Sequence, residues 1–253
     1  MISNIFHFIF GLEKNFGNKP FSIFHYLAIK SAYDVNKPDN IFLHYKYEPT
    51  GEWWDKTKRF VTFIPVDVPL EIFGNKLYHY AHKADVIRLL ILRKYGGIYL
   101  DLDTICIRSL SKLFDNPFVM GMEKINGMTK GLCNAVILST PNSLFIQHWL
   151  NSYRFFRSKG FDNYWGEHSV RVPLFIADQY PETIHIEENE SFFCPSYSIE
   201  DLDNLFNKNK IYSNAYIFHL WESISYEKYL IDLDVKSIEK IDTTYNIVAR
   251  RYL

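Results

Sequence analysis

Cysteine is scarce in this chain. Three residues, Cys106, Cys133 and Cys194, stand among 253, an odd number with no metal-ligand spacing. That excludes a disulfide-stapled scaffold and a zinc-finger type site, and it fits a reducing compartment. A surplus of either charge is also missing: 28 Lys and Arg face 29 Asp and Glu, for a formal net charge of −1. No global field therefore recruits nucleic acid or an anionic membrane. No apolar run reaches the roughly 20 residues of a membrane-spanning helix. The opening "MISNIFHFIFGL" is apolar but short and carries no basic lead, so a first core strand is expected there rather than a signal peptide. The expected location is cytoplasmic. Repeats, low-complexity tracts and linkers are absent as well. One domain over residues 1–253 is expected, with a core at about 1–158, a more variable lobe at about 159–214 and a C-terminal strand and tail at 215–253.

Apolar residues, by contrast, reach 47%, enough for a sizeable core, and aromatics reach 17%. "IFHFIF", "NIFLHY", "VTFIPV" and "IYLDLD" read as strands. Between them lie a helix in "PFSIFHYLAIKSAY", a short one in "EWWDKTKRF", and a long one from about residue 76 to 94. That long helix carries Leu77, Ala81, Ala84, Ile87 and Ile91 on one face and stops at Gly96-Gly97. "PFVMGME" and "NAVILST" are strand-like, "SLFIQHWLNSYRFF" is helical, and "AYIFHLW" is a last strand. Strands alternating with helices predict an α/β fold, a largely parallel central sheet with flanking helices.

"YGGIYLDLDTI", Tyr95 to Ile105, places Asp101 and Asp103 at the end of an apolar strand, where open α/β sheets bind ligands. Two residues apart on an extended chain, they share a face. No basic residue adjoins them, so a hard cation such as Mn²⁺ or Mg²⁺ is the expected compensation. Two solvated turn aspartates are the plain alternative. A phosphatase of the haloacid-dehalogenase type also uses an Asp-x-Asp pair, with Asp101 as nucleophile and Asp103 as general acid. That chemistry would need a further acidic pair, for which "DLDNLF" (201–206) and "DLDV" (232–235) are candidates.

The longer stretch "HKADVIRLLILRKYGGIYLDLD" (82–103) resembles the core of a glycosyltransferase family that includes yeast initiating α-mannosyltransferase and α1,4-galactosyltransferase, family 32-like. The shared pattern is Asp-x-x-Arg on a helix, then Tyr-Gly-Gly, then Tyr-x-Asp-x-Asp. "IFHFIFG" resembles the family's opening strand, with Phe10 in place of its Trp, and "HLWES" resembles its late His-x-Trp. The resemblance implies a GT-A type nucleotide-diphospho-sugar transferase fold. It also implies a metal-dependent, retaining transfer of sugar from a nucleoside-diphosphate sugar, UDP favoured, to a glycan or other hydroxyl acceptor. Asp85 would accept donor-sugar hydroxyls and Arg88 would reach sugar or diphosphate; a surface ion pair is the alternative for both. Asp101 and Asp103 would hold the ion, with His219 completing its shell. Tyr99 would contact the nucleotide, Phe8 or Phe10 would stack on the base, Asn134 would touch the donor sugar, and Trp221 would lie over the phosphates. Glu167 or His168, in "YWGEHSV", would meet the acceptor. A catalytically inactive sugar-nucleotide binder remains open as a non-enzyme alternative.

Overall fold

The computed structural model describes residues 1–253. Eleven strands form, and seven of them make the central sheet: β1 (Ile5–Phe10), β2 (Asn40–Tyr45), β3 (Thr62–Pro65), β6 (Gly97–Leu100), β8 (Phe118–Ile125), β9 (Met128–Ser139) and β10 (His185–Glu187). Its order is β10-β8-β9-β6-β1-β2-β3. β1 pairs in parallel with β2 and β6, as do β2 with β3 and β8 with β10; β9 runs antiparallel to both β6 and β8. A separate antiparallel ribbon joins β7 (Thr104–Cys106) to β11 (Ile217–His219), and β4 (Glu71–Ile72) with β5 (Asn75–Lys76) makes a hairpin.

Period-two alternation decides which side chains each layer receives. Phe6 and Phe8 on β1, with Ile98 and Leu100 on β6, enter a core of 43 buried residues shared with α1 (Ile23–Asn36) and the C-terminal segments. Tyr99, Ile137, Phe118 and Met120 enter a second core against α3 (Tyr80–Tyr95), α4 (Leu144–Ser152) and α5 (Val172–Gln179). A further helix, α2 (Glu52–Thr57), packs Trp54 into the first core. The result is a three-layer α/β/α arrangement.

Local signals explain the helix limits. Ser22 and His25 form a capping box at the start of α1. Ser143 caps α4 by accepting from the Ile146 N–H. In α3, Nδ1 of His79 accepts from the Ala81 N–H, and the N–H of Gly96 closes the last turn on the Leu92 carbonyl. The periodic run had placed the start of α3 near residue 76. The structure instead spends 71–76 on the β4–β5 hairpin, because Phe73 and Gly74 both take positive φ in its turn.

Gly97 is required by position. Its φ is +93°, and a Cβ there would stand 2.4 Å from the Ile5 carbonyl oxygen of β1. Only glycine lets β6 enter the sheet directly from the end of α3. The strand then stops at Leu100, earlier than "IYLDLD" suggests. The Asp101 N–H still donates to the Ala135 carbonyl at 2.9 Å, but the chain turns there, and the Thr104 hydroxyl closes the turn on the Asp101 carbonyl at 2.7 Å. The stretch 159–214, weakly patterned in sequence, contributes α5 and β10, which extends the main sheet beyond β8.

Candidate active site

A cleft of about 690 Å³ opens at the carboxyl ends of β1 and β6. It is lined by Phe10, Asp85, Arg88, Tyr99, Asp101, Asp103, Asn134, His219 and Trp221, so most of the singled-out residues meet there.

α3 supplies Asp85 and Arg88, three apart and therefore on one helix face. Both are buried, at 6% and 5% exposure, which removes the reading of a surface pair. Arg88 Nη2 lies 3.3 Å from Asp85 Oδ1, and Nη1 lies 3.1 Å from Asp101 Oδ1. Nη1 also donates to the Asn134 carbonyl at 2.7 Å. Asn134 completes the ring by donating from Nδ2 to Asp85 Oδ1 at 2.7 Å. The guanidinium lies 4.4 Å from the centre of the Tyr99 ring, and the Tyr99 hydroxyl donates to Asp101 Oδ1 at 2.6 Å. Sequence proximity showed no basic residue beside the aspartates; folding places one against Asp101 from the preceding helix. Tyr99 is 2% exposed and acts as a brace behind Arg88 and Asp101.

Asp103 is held from the other end of the chain. β7 and β11 pair so that His219 stands opposite Thr104. Asp103 Oδ2 accepts from the Glu222 N–H at 2.7 Å and lies 3.2 Å from His219 Nε2. Burial disfavours the Asp103 charge, but His219 and the Glu222 N–H outweigh it and bring the carboxyl down to about 2. His219 moves the opposite way: burial lowers it, and Asp103 raises it above the ordinary histidine range.

The donor set fits a divalent ion. One oxygen each from Asp101 and Asp103 and one nitrogen from His219 lie within 4.8 Å of one another. Nδ1 of His219 is buried with no hydrogen-bond partner. Two carboxylates and an imidazole suit Mn²⁺ or Mg²⁺, the imidazole favouring Mn²⁺.

Trp221 lies beside this triad in an unusual backbone state, φ +56° and ψ +49°. That region costs a bulky L-residue about 1–2 kcal/mol. Its indole N–H donates to the Pro195 carbonyl at 3.1 Å, and its ring packs 4.1 Å from that of His219 and 4.9 Å from that of Tyr197. These contacts hold the strained residue, which faces the cleft.

Three expectations are corrected. Phe8 does not line the cleft: it is fully buried in the first core, because β1 ends its covered stretch there, and only Phe10 at the strand tip reaches the opening. Glu167 and His168 do not line it either. Glu167 is engaged by Arg157 through two hydrogen bonds, at 3.0 and 2.6 Å, and His168 is 4% exposed with Nε2 on the Ser152 carbonyl. Their neighbours Gly166, Ser169, Val170 and Arg171 face the cleft instead. Sequence reasoning also passed over Lys19, His25 and Glu222, all cleft residues; Lys19 pairs with Glu222 at 3.0 Å. Lys19 and His25 belong to no motif, and Glu222, though it sits in "HLWES", is not one of that motif's defining residues. The acidic pairs at 201–203 and 232–234 that a phosphatase would need lie outside the cleft.

Relatives give this geometry a family. A profile described as the glycosyltransferase sugar-binding region containing a DXD motif matches residues 19–120. Glucan organizing enzyme 1 of Cryptococcus neoformans is 34% identical over 265 residues, covering 100% of this chain and 71% of that protein. The chain belongs to the DXD-containing glycosyltransferase family. Inositol phosphoceramide mannosyltransferase 3 of Schizosaccharomyces pombe is 45% identical over 78 residues, 30% of this chain and 21% of that one. Among solved structures, apo GlyE of Streptococcus pneumoniae aligns with a TM-score of 0.54 at 12% identity, over 99% of this chain and 63% of its own. Mouse xyloside xylosyltransferase 1 aligns at 0.52 and 16% identity, over 88% of this chain and 99% of its own. These likenesses concern the fold, which is of the GT-A type. The DXD pair of the family is Asp101 and Asp103, and the chain is a glycosyltransferase.

Proposed function

We propose that this glycosyltransferase moves a sugar from a nucleoside-diphosphate donor, UDP favoured, to a hydroxyl of a glycan or similar acceptor, with a divalent ion, Mn²⁺ before Mg²⁺, held by Asp101, Asp103 and His219. The observation that carries it is the junction of two networks in one cleft: the Asp101–Asp103–His219 donor set and the buried Asp85–Arg88–Asn134 ring.

Bound there, the ion supplies Lewis-acid stabilisation for a departing diphosphate. The protein's own groups do the rest. Arg88 presents fixed positive charge in a largely dry wall, where it is worth more than in water. Asp85 and the Asn134 amide offer an acceptor and a donor for sugar hydroxyls. Phe10 at the mouth of β1 offers a face for a base, and Trp221 covers the region of the phosphates. Lys19 adds a second cation at the rim. Retention of anomeric configuration is proposed on the resemblance of the 82–103 stretch. The unpaired state of all three cysteines supports a cytoplasmic location.

A donor screen tests the reading. Titration calorimetry with UDP-glucose, UDP-galactose and GDP-mannose, in Mn²⁺ and in EDTA, is expected to show at least one donor whose binding requires the metal. Equal affinity in both conditions would remove the metal site. Robust turnover of a generic aryl phosphate, with no release of nucleoside diphosphate from any donor, would remove the transferase reading.

A further inference from the structure

One buried carboxylate of the cleft takes no part in the metal donor set or in the Asp85–Arg88–Asn134 ring. Glu123 on β8 is 5% exposed and lines the same opening as Asp101, Cys133, His219 and Trp221. Its strand directs it there: Gly121, Glu123 and Ile125 alternate toward the covered face. Gly121 leaves room for Phe192 and Phe193 to press on that face, and Phe193 in turn packs 5.9 Å from His219 and 6.0 Å from Trp221, ring centre to ring centre.

No Lys, Arg or His nitrogen comes within the 4.0 Å of an ion pair with Glu123. The groups that favour its charge are the Cys133 thiol, a weak donor, and, through space, His219 and Lys130. An ionised carboxylate in that setting is expensive, and burial pushes the Glu123 carboxyl above the ordinary range. Such a group calls for donors brought from outside the protein.

Position narrows what brings them. Across the sheet the order runs β1, β6, β9, β8. Phe10 ends β1, the Asp-x-Asp turn follows β6, and Asn134 lies on β9. With neighbouring strands spaced about 4.8 Å apart, β8 stands about 10 Å beyond β6, on the side away from β1. A diphosphate at Asp101 and Asp103 is thus two strand spacings away, and its charge is repelled by a carboxylate. A sugar ring next to that diphosphate spans the gap and presents hydroxyl donors.

We propose that Glu123 is a sugar-hydroxyl ligand of this cleft and sets which sugar is accepted there. The assignment rests on the donor reading above. The hydroxyls belong to the transferred sugar or to the acceptor sugar, and one experiment separates the two.

Glu123→Gln keeps shape and removes the charge; Glu123→Ala removes the ligand. Titration with Mn²⁺ compares UDP with UDP-glucose and UDP-galactose, and GDP with GDP-mannose. A parallel assay measures labelled disaccharide from free glucose, galactose and mannose. If the hydroxyls are the donor's, the affinity ratio of nucleotide sugar to nucleotide falls about tenfold to a hundredfold in both variants, the range of a lost hydrogen bond to a charged group. If they are the acceptor's, that ratio holds while the KM for the monosaccharide rises. A sugar ratio and a disaccharide yield both unchanged, zero yield included, overturn the assignment. So does an equal loss of affinity for UDP alone, which would place Glu123 on the nucleotide or the metal. A drop in melting temperature with an unchanged sugar ratio and yield likewise makes it structural. Absence of nucleotide-sugar binding by the unaltered chain would defeat the donor reading itself, a result separate from any effect of the variants.

Discussion

Arg88 Nη1 stands 3.1 Å from Asp101 Oδ1 and 2.7 Å from the Asn134 carbonyl, so one guanidinium joins the helix α3, the Asp-x-Asp turn and strand β9. Lysine cannot reproduce that fork. Arg88→Lys is expected to lower stability by about 2–4 kcal/mol, since a buried charge network loses partners. Donor hydrolysis should fall at least tenfold. Urea melts beside a nucleoside-diphosphate release assay check both, and full activity with an unchanged melt would contradict the role given to Arg88.

Asp103→Asn preserves an acceptor for the Glu222 N–H but removes the charge facing His219. The variant should lose the rise in melting temperature that Mn²⁺ gives the unaltered chain. Turnover should fall about a hundredfold or more, the scale seen when a group stabilising transition-state charge is removed. A retained Mn²⁺ shift would show that the ion sits elsewhere.

His7 and His44 form a buried neutral pair. Nε2 of His7 lies 3.0 Å from the Gly96 carbonyl and must donate to it, so Nδ1 accepts from His44 Nε2 at 3.1 Å. Phe42 and Tyr95 cover the His7 ring. Burial lowers His7 to about 4; burial, then His7 itself, lowers His44 to about 3. The unfolded chain takes up these protons near the ordinary histidine value, and the folded chain does not until far lower pH. Stability from the pair is therefore full above pH about 6.5 and is lost as pH falls toward the folded values. The loss from His7 alone is on the order of 3 kcal/mol by pH 4. Urea midpoints at pH 7 and pH 5 should differ, and His44→Phe should narrow the difference. Identical midpoints at the two pH values would contradict the neutral pair.

Gly97→Ala should destabilise by about 3 kcal/mol or more, the sum of a positive-φ penalty and a clash with the Ile5 carbonyl. Thermal melts test this. A change below about 0.5 kcal/mol would mean that β1 and β6 can separate freely there, as at an ordinary surface position.

These tests also separate what the sequence could show from what it could not. Period-two and helical patterns exposed β1, β2, β6 and α1, because their apolar faces meet one continuous core. The Asp-x-x-Arg and Asp-x-Asp spacings were visible because one helix and one turn carry them. Three features had no local signal. Phe8 and Phe10 are alike in sequence, and only the end of the strand separates core from cleft. The compensation of Asp103 comes from His219 and the Glu222 N–H, far along the chain, and Arg88 meets Asp101 only because α3 folds back against β6. Glu123 carries no signal in the sequence beyond closing the strand-like "PFVMGME". Its burial follows from the pressing of Phe192 and Phe193 on neighbouring Gly121, a contact between segments some 70 residues apart.

The bond between the Glu222 N–H and Asp103 spans 119 residues. On a growing chain the aspartates therefore leave the ribosome long before the groups that balance them. Throughout that interval the half-made chain contains both aspartates but neither His219 nor the amide that fixes Asp103. The grouping of Asp101, Asp103 and His219 is therefore complete only once the β11 segment has been made.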